Sequence, residues 1–383
     1  MDGRSGPLSR IHEVTIFTTN VGLSDWERLG YLDREVAIYQ RWARRLGRVT
    51  FLTYGDTQQE SAYAARISPI QVAAAPKARP GLLADVRAVV RQRRLLRSCD
   101  LVKTKQVRGG LVGVAAKWIW GRPLVVRCGF VPTLFDRWEG RTSAATVFRA
   151  CVERLALRAA DAVVVTTEED KGYVCRRHGL RPEKVAVIGN AIDVERFRPM
   201  AEVPKEPGTV CFVGRFSKEK NLGSLIEALQ GTALELVAYG SGGLGAELAR
   251  QAAACGVRVR WCGHVPNSRL PEAYNRAAVV ALPSLHEGHP KVLLEAMACG
   301  SCVVTTPVPG IRSIASDGAN AVVCRGTRPE DLRAGLERAL GDADLARRVG
   351  RAARAYVAEH YAVDVLMERE ARLLEALLRR ART

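Results

Sequence analysis

The sequence lacks an apolar run long enough to cross a bilayer. Its nearest candidate, Leu111 to Val126, is interrupted by Lys117 and Arg122, whereas a spanning helix needs about 20 mostly apolar residues in succession. The opening segment, Met1 to Arg10, is polar and lacks the apolar stretch of a signal peptide. These absences predict a cytoplasmic protein.

The sequence also lacks the features of a disulfide framework or a metal site. Its 10 cysteines lie mostly in apolar runs of a 383-residue chain, which indicates buried, reduced thiols. The pair Cys299 and Cys302 links a helix end to a strand, so we do not expect a redox site there. The segment HEGH, with His286 and His289, does not have the spacing that places two zinc ligands on one helix face. We therefore expect neither a metal nor a cofactor.

Acidic residues are too few to balance the basic ones in the first half of the chain. Residues 1–200 contain 34 Lys and Arg against 20 Asp and Glu, whereas residues 201–383 contain 24 against 20. A basic half is typical of proteins that bind nucleic acid, an anionic membrane surface or an acidic substrate, although it is also compatible with an unpartnered solvated face. Aromatic residues are sparse where arginine is densest, at Arg87 to Arg97. A nucleic-acid-binding protein is therefore an alternative function and not the expected one.

Short apolar runs alternate with helical segments along the whole chain, which predicts an α/β protein with two doubly wound parallel sheets. The length also exceeds that of one ordinary core. Pro199, Pro204 and Pro207 interrupt the alternation, so the junction between domains is expected near them. We predict an N-terminal domain over residues 1–200, a second domain over 201–361, and an amphipathic helix within 362–383.

The stretch Glu287 to Glu295 is the strongest candidate for a binding site. A strand is expected to end at Pro283 and a helix to begin at Lys291, after Pro290 and a loop that contains Gly288. Doubly wound domains bind ligands at the carboxyl ends of their strands, where a helix N-terminus offers unpaired N–H groups. One carboxylate in the loop and one in the helix could accept hydrogen bonds from sugar hydroxyls. The alternative is an ordinary turn whose carboxylates face solvent.

Two further segments follow predicted strands. In GRFSKEKN, which begins at Gly214, Arg215 and Lys220 could neutralise a diphosphate. The segment YGSGGLG, which begins at Tyr239, fits the glycine pattern of dinucleotide-binding loops. The strand after it carries arginines in place of the acidic residue that a nicotinamide cofactor requires, so a nicotinamide-dependent enzyme is a weaker alternative.

Together these motifs resemble the retaining glycosyltransferases of family 4. The resemblance rests on GRFSKEKN at Gly214 to Asn221, on VIGNAIDVERFRP at Val187 to Pro199, on PSLHEGHPKVLLEAMACG at Pro283 to Gly300, and on their order. It covers most of the chain and is strongest from about Ala160 to Ala321. It implies a GT-B fold, in which two Rossmann-like domains face a central cleft, and a closing helix from about Ala362 that crosses back to the first domain.

The resemblance also implies a role for each matched residue. Arg215 and Lys220 would bind the donor diphosphate, Glu287 would face the transferred sugar, and Glu295 would hold the ribose hydroxyls. The donor would be a UDP- or GDP-sugar, and a hexosyl or N-acetylhexosaminyl group would be transferred with retained configuration and without a metal. The further donor-binding residues would be Gly214, Gly240, Gly242, His264, Gly288, His289, Pro290 and Lys291.

The first half departs from the family pattern, so its acceptor-side residues are weaker predictions. They are Gly30, Lys103, Lys105 and Arg127. The acceptor is predicted to be a glycan, a lipid-linked molecule or a small molecule with a free hydroxyl.

The segment from Leu82 to Arg97 leaves two interpretations open. Its arginines can form one helix face, while the opposite face is apolar and is formed by Leu82, Val86, Val89, Val90 and Leu96. Peripheral attachment to an anionic membrane is one interpretation, and an ordinary helix docked on the first sheet is the other.

Overall fold

The computed structural model describes residues 7–77, 82–138 and 140–380, so most of the opening segment Met1 to Arg10 lies outside the described residues. The chain divides into two compact units. Unit 1 comprises Met1–Gly189 with Met367–Thr383, and unit 2 comprises Asn190–Leu366. Among the described helices, none is long and apolar enough to cross a membrane.

Unit 1 is built on a seven-stranded parallel sheet with the order β3-β2-β1-β4-β5-β6-β7. Its strands are β1 (His12–Ile16), β2 (Arg48–Tyr54), β3 (Gln71–Ala75), β4 (Leu101–Thr104), β5 (Leu124–Cys128), β6 (Ala162–Val165) and β7 (Val185–Val187). Its helices are α1 (Leu23–Arg28), α2 (Leu32–Arg45), α3 (Thr57–Ser61), α4 (Ala64–Ile67), α5 (Leu82–Arg91), α6 (Arg93–Ser98), α7 (Gly110–Trp120), α8 (Pro132–Trp138), α9 (Ala144–Ala159) and α10 (Glu168–His178).

Unit 2 is built on a six-stranded parallel sheet with the order β10-β9-β8-β11-β12-β13. Its strands are β8 (Glu206–Val213), β9 (Glu235–Tyr239), β10 (Arg258–Gly263), β11 (Ala277–Leu282), β12 (Val303–Thr305) and β13 (Val322–Val323). Its helices are α11 (Leu222–Leu229), α12 (Gly245–Ala254), α13 (Leu270–Arg276), α14 (Lys291–Ala298), α15 (Pro329–Gly341) and α16 (Ala343–His360). The last helix, α17 (Val363–Arg380), begins in unit 2 and belongs to unit 1 from Met367 onward.

Both sheets are apolar on the faces that the helices cover, as the short valine-rich and alanine-rich strands require. The strand AVVV of β6 is buried throughout, and so is nearly all of AAVVAL in β11. This confirms the prediction of two doubly wound parallel α/β domains.

A buried ion pair holds α17 in unit 1. Lys103 of β4 forms ion pairs with Glu370 of α17 and with Glu13 of β1, whose Oε1 is 3.8 Å from the Lys103 Nζ. Although burial alone would lower the pKa of Lys103, the two carboxylates raise it above its ordinary value. Trp42 donates its indole N–H to Glu13 at 3.0 Å, which satisfies the second oxygen of that carboxylate.

Candidate donor site at the switch point of unit 2

The order of strands in unit 2 reverses direction between β8 and β11, because β9 and β10 lie on one side of this pair and β12 and β13 on the other. Parallel α/β sheets bind ligands outside the carboxyl ends of the strands at such a switch point. Two loops leave the sheet there, Gly214 to Asn221 after β8 and Pro283 to Pro290 after β11. These are the two loops that the sequence singles out.

The structure brings one residue from each loop into direct contact. Lys220 donates to Glu287 at 2.5 Å between Nζ and Oε1. Ser284 donates its hydroxyl to the same carboxylate oxygen at 2.7 Å. The Glu287 side chain is 10% exposed and that of Lys220 is 17% exposed, so the pair is largely shielded from solvent. A largely shielded ammonium beside a carboxylate can bind a diphosphate and a sugar hydroxyl side by side.

Asn221 fixes the geometry of this pair, and the sequence motif did not assign it a role. It adopts the left-handed conformation, with φ of 54°. Its side-chain amide donates to the carbonyl of Pro283 at 3.0 Å and to that of Thr327 at 2.9 Å. A further bond runs from the backbone N–H of Leu285 to the carbonyl of Glu219 at 2.9 Å. The β8 and β11 loops are therefore tied together on both sides of the ion pair.

A third loop, which follows β12, supports the β11 loop from behind. Gly310 has a φ of 79°, and a Cβ atom there would lie 2.0 Å from the carbonyl oxygen of Gly288 and 2.5 Å from that of Glu287. Thr306 donates its hydroxyl to the carbonyl of Ser284 at 2.6 Å. Only glycine permits this approach, and no motif in the sequence indicated that Gly310 would meet the Glu287 loop.

Arg215 lies in the same loop as Lys220 but is placed differently. Its side chain is 73% exposed, and it donates to Glu219 at 3.0 Å. An exposed guanidinium four residues from its acidic partner is weakly held. The structure therefore gives Lys220 a fixed position at the switch point and leaves Arg215 free to reorient towards an anion.

The glycines of YGSGGLG serve the packing of the β8 loop. A Cβ atom at Gly240 would lie 1.8 Å from the carbonyl oxygen of Gly214, and one at Gly242 would lie 2.4 Å from that of Phe216. In a dinucleotide-binding loop, such glycines let the backbone approach a pyrophosphate closely. Here they let the loop approach the protein's own backbone instead. This observation disfavours the nicotinamide alternative.

Glu295 lies on α14 and is only 1% exposed. Its carboxylate accepts hydrogen bonds from the side-chain amide of Asn267 at 3.3 Å and from the hydroxyl of Tyr274 at 3.2 Å. Burial, and then the adjacent Glu295, raises the pKa of Tyr274 well above its ordinary value, so this hydroxyl stays protonated and remains a donor. No motif in the sequence indicates that Asn267 and Tyr274 are its partners.

The remaining donor-side residues surround the start of α14. His289 is buried, and its Nδ1 and carbonyl accept from the backbone and side chain of Asn190 at 3.3 and 2.7 Å. Pro290 occupies the position directly before α14, and Lys291 is the first residue of that helix. His264 is exposed just beyond β10.

Of the four residues predicted on the acceptor side, the cations Lys103, Lys105 and Arg127 all lie near the Glu370 carboxylate and help to lower its pKa. Gly30 occupies the turn between α1 and α2 with φ of 70°. Lys103 is buried in the ion pairs described above, and Lys105 is bonded to Glu35 with its ammonium 4.6 Å from the ring centroid of Tyr39. Arg127 donates to the carbonyls of residues 188 and 189 at 3.3 and 3.0 Å. Each of the three cations has an intramolecular role, and their part in acceptor binding stays a prediction.

Within the described part of the chain, no three His, Cys, Asp or Glu side chains cluster so that they could hold a metal ion. Metal independence of the reaction is a separate matter and stays a prediction.

Solved structures define the class of fold. The chain matches a protein from Anabaena, HepE, solved in complex with UDP and glucose, with a TM-score of 0.78 and 19% identity over 96% of this chain and 100% of that one. It matches sucrose-phosphate synthase from Thermosynechococcus elongatus with a TM-score of 0.79 and 19% identity, over 96% and 99%. The fold is therefore GT-B, as the sequence predicts.

Sequence comparison then gives the family. A family model described as Glycosyltransferase Family 4 matches residues 9–196, and one described as Glycosyl transferases group 1 matches residues 193–356. The chain belongs to the family-4 type of glycosyltransferases. It is 30% identical over 282 residues to the D-inositol 3-phosphate glycosyltransferase of Nocardia farcinica, which covers 68% of this chain and 62% of that protein. The corresponding enzyme of Salinispora tropica is 29% identical and covers 75% and 67%.

Proposed function

We propose that the protein transfers a hexosyl or N-acetylhexosaminyl group from a UDP- or GDP-sugar to a hydroxyl acceptor, with retention of the anomeric configuration. The observation that carries this proposal is the Lys220–Glu287 pair at the switch point of unit 2, with 2.5 Å between Nζ and Oε1. It joins a cation suited to a diphosphate and a carboxylate suited to a sugar hydroxyl. Family membership supports the same reaction class.

In the proposed mechanism the donor carbon gains positive charge as the nucleoside diphosphate leaves. Lys220, whose position is fixed, and Arg215, which is free to turn, stabilise the charge on the departing diphosphate, so no metal is needed for that step. The acceptor hydroxyl attacks from the face that the diphosphate leaves, and a phosphate oxygen takes its proton. Glu287 orients the transferred sugar by hydrogen bonding, and Glu295 holds the ribose hydroxyls.

Glu295 would accept additional hydrogen bonds in this scheme. Its carboxylate is held by Asn267 and Tyr274, and two ribose hydroxyls would donate to the same two oxygens, each of which has more than one acceptor position. The fixed carboxylate is therefore preorganised for a vicinal diol, which lowers the entropic cost of binding.

The names of similar proteins suggest which substrates to test first. The Anabaena protein was solved with UDP and also with UDP-glucose, so uridine nucleotides are the first donors to test. The relatives from Nocardia and Salinispora are named for D-inositol 3-phosphate, which makes a hydroxylated small molecule the first acceptor class to test alongside glycans and lipid-linked acceptors.

The exposed face of α5 supports attachment to an anionic membrane as part of this proposal. Four apolar residues on this face are between 51% and 56% exposed, namely Leu82, Leu83, Val86 and Val90. The opposite face of the helix, which packs against the rest of unit 1, carries small residues. The sequence interpretation was wrong to include Leu96, which lies on α6 and is fully buried. An exposed apolar stripe beside arginines fits a bilayer surface. Co-sedimentation with anionic vesicles that weakens as salt rises would support attachment, and an absence of binding would exclude it.

Thermal unfolding in the presence of candidate ligands tests the reaction class. UDP or GDP at 100 times its Kd should stabilise the protein by about 2.7 kcal/mol, whereas nicotinamide dinucleotides and oligonucleotides should not. The stabilisation should be lost in Glu295→Gln and kept in Glu337→Gln, which makes the same charge change at an exposed position of α15. If neither UDP nor GDP stabilises the wild type, the proposal is wrong. Product analysis with UDP- and GDP-sugars then identifies the donor.

A further inference from the structure

The Glu295 carboxylate is held from two elements other than its own helix. Asn267 begins the short turn that follows β10, and Tyr274 lies on α13. Tyr274 and Glu295 are almost completely buried, and Asn267 is 9% exposed. No step of the proposed reaction uses Asn267 or Tyr274 directly, so their contacts with Glu295 require a separate explanation.

Each of the two side chains donates to a different oxygen of the carboxylate. The Asn267 amide nitrogen lies 3.3 Å from Oε1, and the Tyr274 hydroxyl lies 3.2 Å from Oε2. Both hydrogen bonds are long for bonds to a carboxylate, so their direct contribution to stability is small. Their geometric effect is larger, because one donor at each oxygen fixes the plane of the carboxylate. A carboxylate oxygen can accept more than one hydrogen bond, so a ligand hydroxyl can join each donor.

The packing of unit 2 keeps the Tyr274 hydroxyl in this place. Its ring is fully buried, and the ring centroid lies 6.3 Å from that of Phe197. Its backbone carbonyl accepts the hydroxyl of Ser301 at 2.9 Å. Because the core holds the phenol from both sides in this way, the phenol determines where the carboxylate of Glu295 lies.

The amide orientation of Asn267 indicates that this side chain serves the carboxylate. Its Oδ1 is buried and has no hydrogen-bond partner among the described residues, while its Nδ2 donates to Glu295. Turning the amide over would place Oδ1 against the carboxylate, where two acceptors repel each other. An unpaired buried acceptor lowers stability, and such exceptions are rare in folded proteins. We attribute the exception at Asn267 to the need for a donor at Oε1.

We propose that Asn267 and Tyr274 are positioning residues that make the donor site selective for a ribose over a deoxyribose. They hold the Glu295 carboxylate in one plane, so that one oxygen receives the 2′-hydroxyl and the other receives the 3′-hydroxyl. The inference rests on the proposed function, because it specifies how the donor site of that reaction recognises the sugar of the nucleotide. Neither residue touches the donor in this scheme.

A fixed carboxylate discriminates more strongly than a mobile one. A nucleotide that lacks one hydroxyl leaves one oxygen of the buried carboxylate without its ligand bond, and the site rejects it for that reason. A carboxylate that can turn would direct itself towards the remaining hydroxyl and lose less. Loss of either donor should therefore weaken binding of the ribonucleotide and leave binding of the deoxyribonucleotides nearly unchanged. A residue that only stabilises the fold would affect all of these nucleotides alike.

Calorimetric titration with UDP, 2′-deoxy-UDP and 3′-deoxy-UDP tests the inference, with the corresponding guanosine nucleotides if GDP is the one that binds. The wild type should bind UDP roughly 10- to 100-fold more tightly than either deoxynucleotide. Tyr274→Phe and Asn267→Ala should each reduce this preference by at least about threefold, through weaker binding of UDP. Tyr173→Phe is the matched control, since it removes a hydrogen-bonded hydroxyl in unit 1, and it should leave the preference unchanged.

The outcomes separate this inference from the proposed function. Equal affinity of the wild type for UDP and the deoxynucleotides overturns the inference, even when UDP binds normally. An unchanged preference in a variant, or equal weakening of all three nucleotides, overturns the positioning role of the residue replaced. Absence of both UDP and GDP binding in the wild type overturns the proposed function instead. Circular dichroism checks that each variant is folded, and because Asn267 and Tyr274 lie on different elements, either variant alone can refute the inference.

Discussion

Replacing Lys220 by methionine should affect stability and donor binding by separable amounts. Its ammonium is 2.5 Å from Glu287, and both side chains are mostly buried. Breaking a fully buried pair costs about 3–5 kcal/mol because the remaining charge is left without a counter-ion. Since Lys220 is partly exposed, we expect a loss of about 2 kcal/mol, which lowers Tm by about 4–8 °C at roughly 2–4 °C per kcal/mol.

The double variant Lys220→Met with Glu287→Gln should recover part of this stability, because no charge is then left unpaired. Donor affinity should not recover. The ammonium's charge-assisted bond to the diphosphate is worth about 1.5–3 kcal/mol, so UDP should bind roughly 10- to 100-fold more weakly in the single and double variants alike.

Urea unfolding and calorimetric titration with UDP measure the two effects. Lys218→Met is the matched control, since Lys218 lies in the same turn but is exposed, and it should leave both quantities near the wild-type values. Unchanged UDP affinity in Lys220→Met would refute the assignment of this residue to the diphosphate. Full recovery of UDP binding in the double variant would show that Lys220 acts only by neutralising Glu287.

Two further predictions concern residues that support the fold. Glu370→Gln should cost about 3 kcal/mol at neutral pH, because buried Lys103 is then left with a weaker counter-charge. Burial raises the pKa of Glu370, but Lys103 holds it below its ordinary value. In urea titrations the difference from wild type should therefore begin to shrink as pH falls below about 4.3 and disappear only below the lowered pKa of the folded state. Gly310→Ala should lower Tm by more than Gly231→Ala does. Both glycines have a positive φ, but only Gly310 lies against the Gly288 carbonyl. An equal decrease in Tm in the two variants would refute the expected clash.

The donor-side loops could be predicted because their signals are local. Gly214, Pro290 and Gly300 each mark an end of a strand or a helix, and the cations and carboxylates lie within a few residues of those ends. The contact between Lys220 and Glu287 could not be predicted in the same way. It joins residues 67 positions apart, and it depends on β8 and β11 being neighbours in the sheet, which periodicity does not reveal.

Side-chain positions in the first half of the chain were harder to predict from the sequence, for a different physical reason. Large apolar residues on α5 were expected to share a face with Leu96, but the helix docks through Ala84, Asp85 and Ala88 and exposes the large ones. Small side chains allow a closer approach to the sheet, so the size of an apolar residue did not indicate the direction it faces. Similarly, Lys103 lies inside a buried strand, where only its long-range pairing with carboxylates makes a charge acceptable.

Strand order is the missing information in both units. In unit 2 it brings together Lys220 and Glu287, and in unit 1 it brings Asp85 and Arg108 to the edge between β1 and β4. The same rule of parallel sheets, applied once the order is known, leads to the Lys220–Glu287 pair in unit 2 and to a pocket lined by Asp85 and Arg108 in unit 1. When the strand order is unknown, the basic character of the first half suggests lysines as acceptor-side residues. In the structure these lysines have intramolecular partners, whereas Arg108 is exposed and lines the pocket.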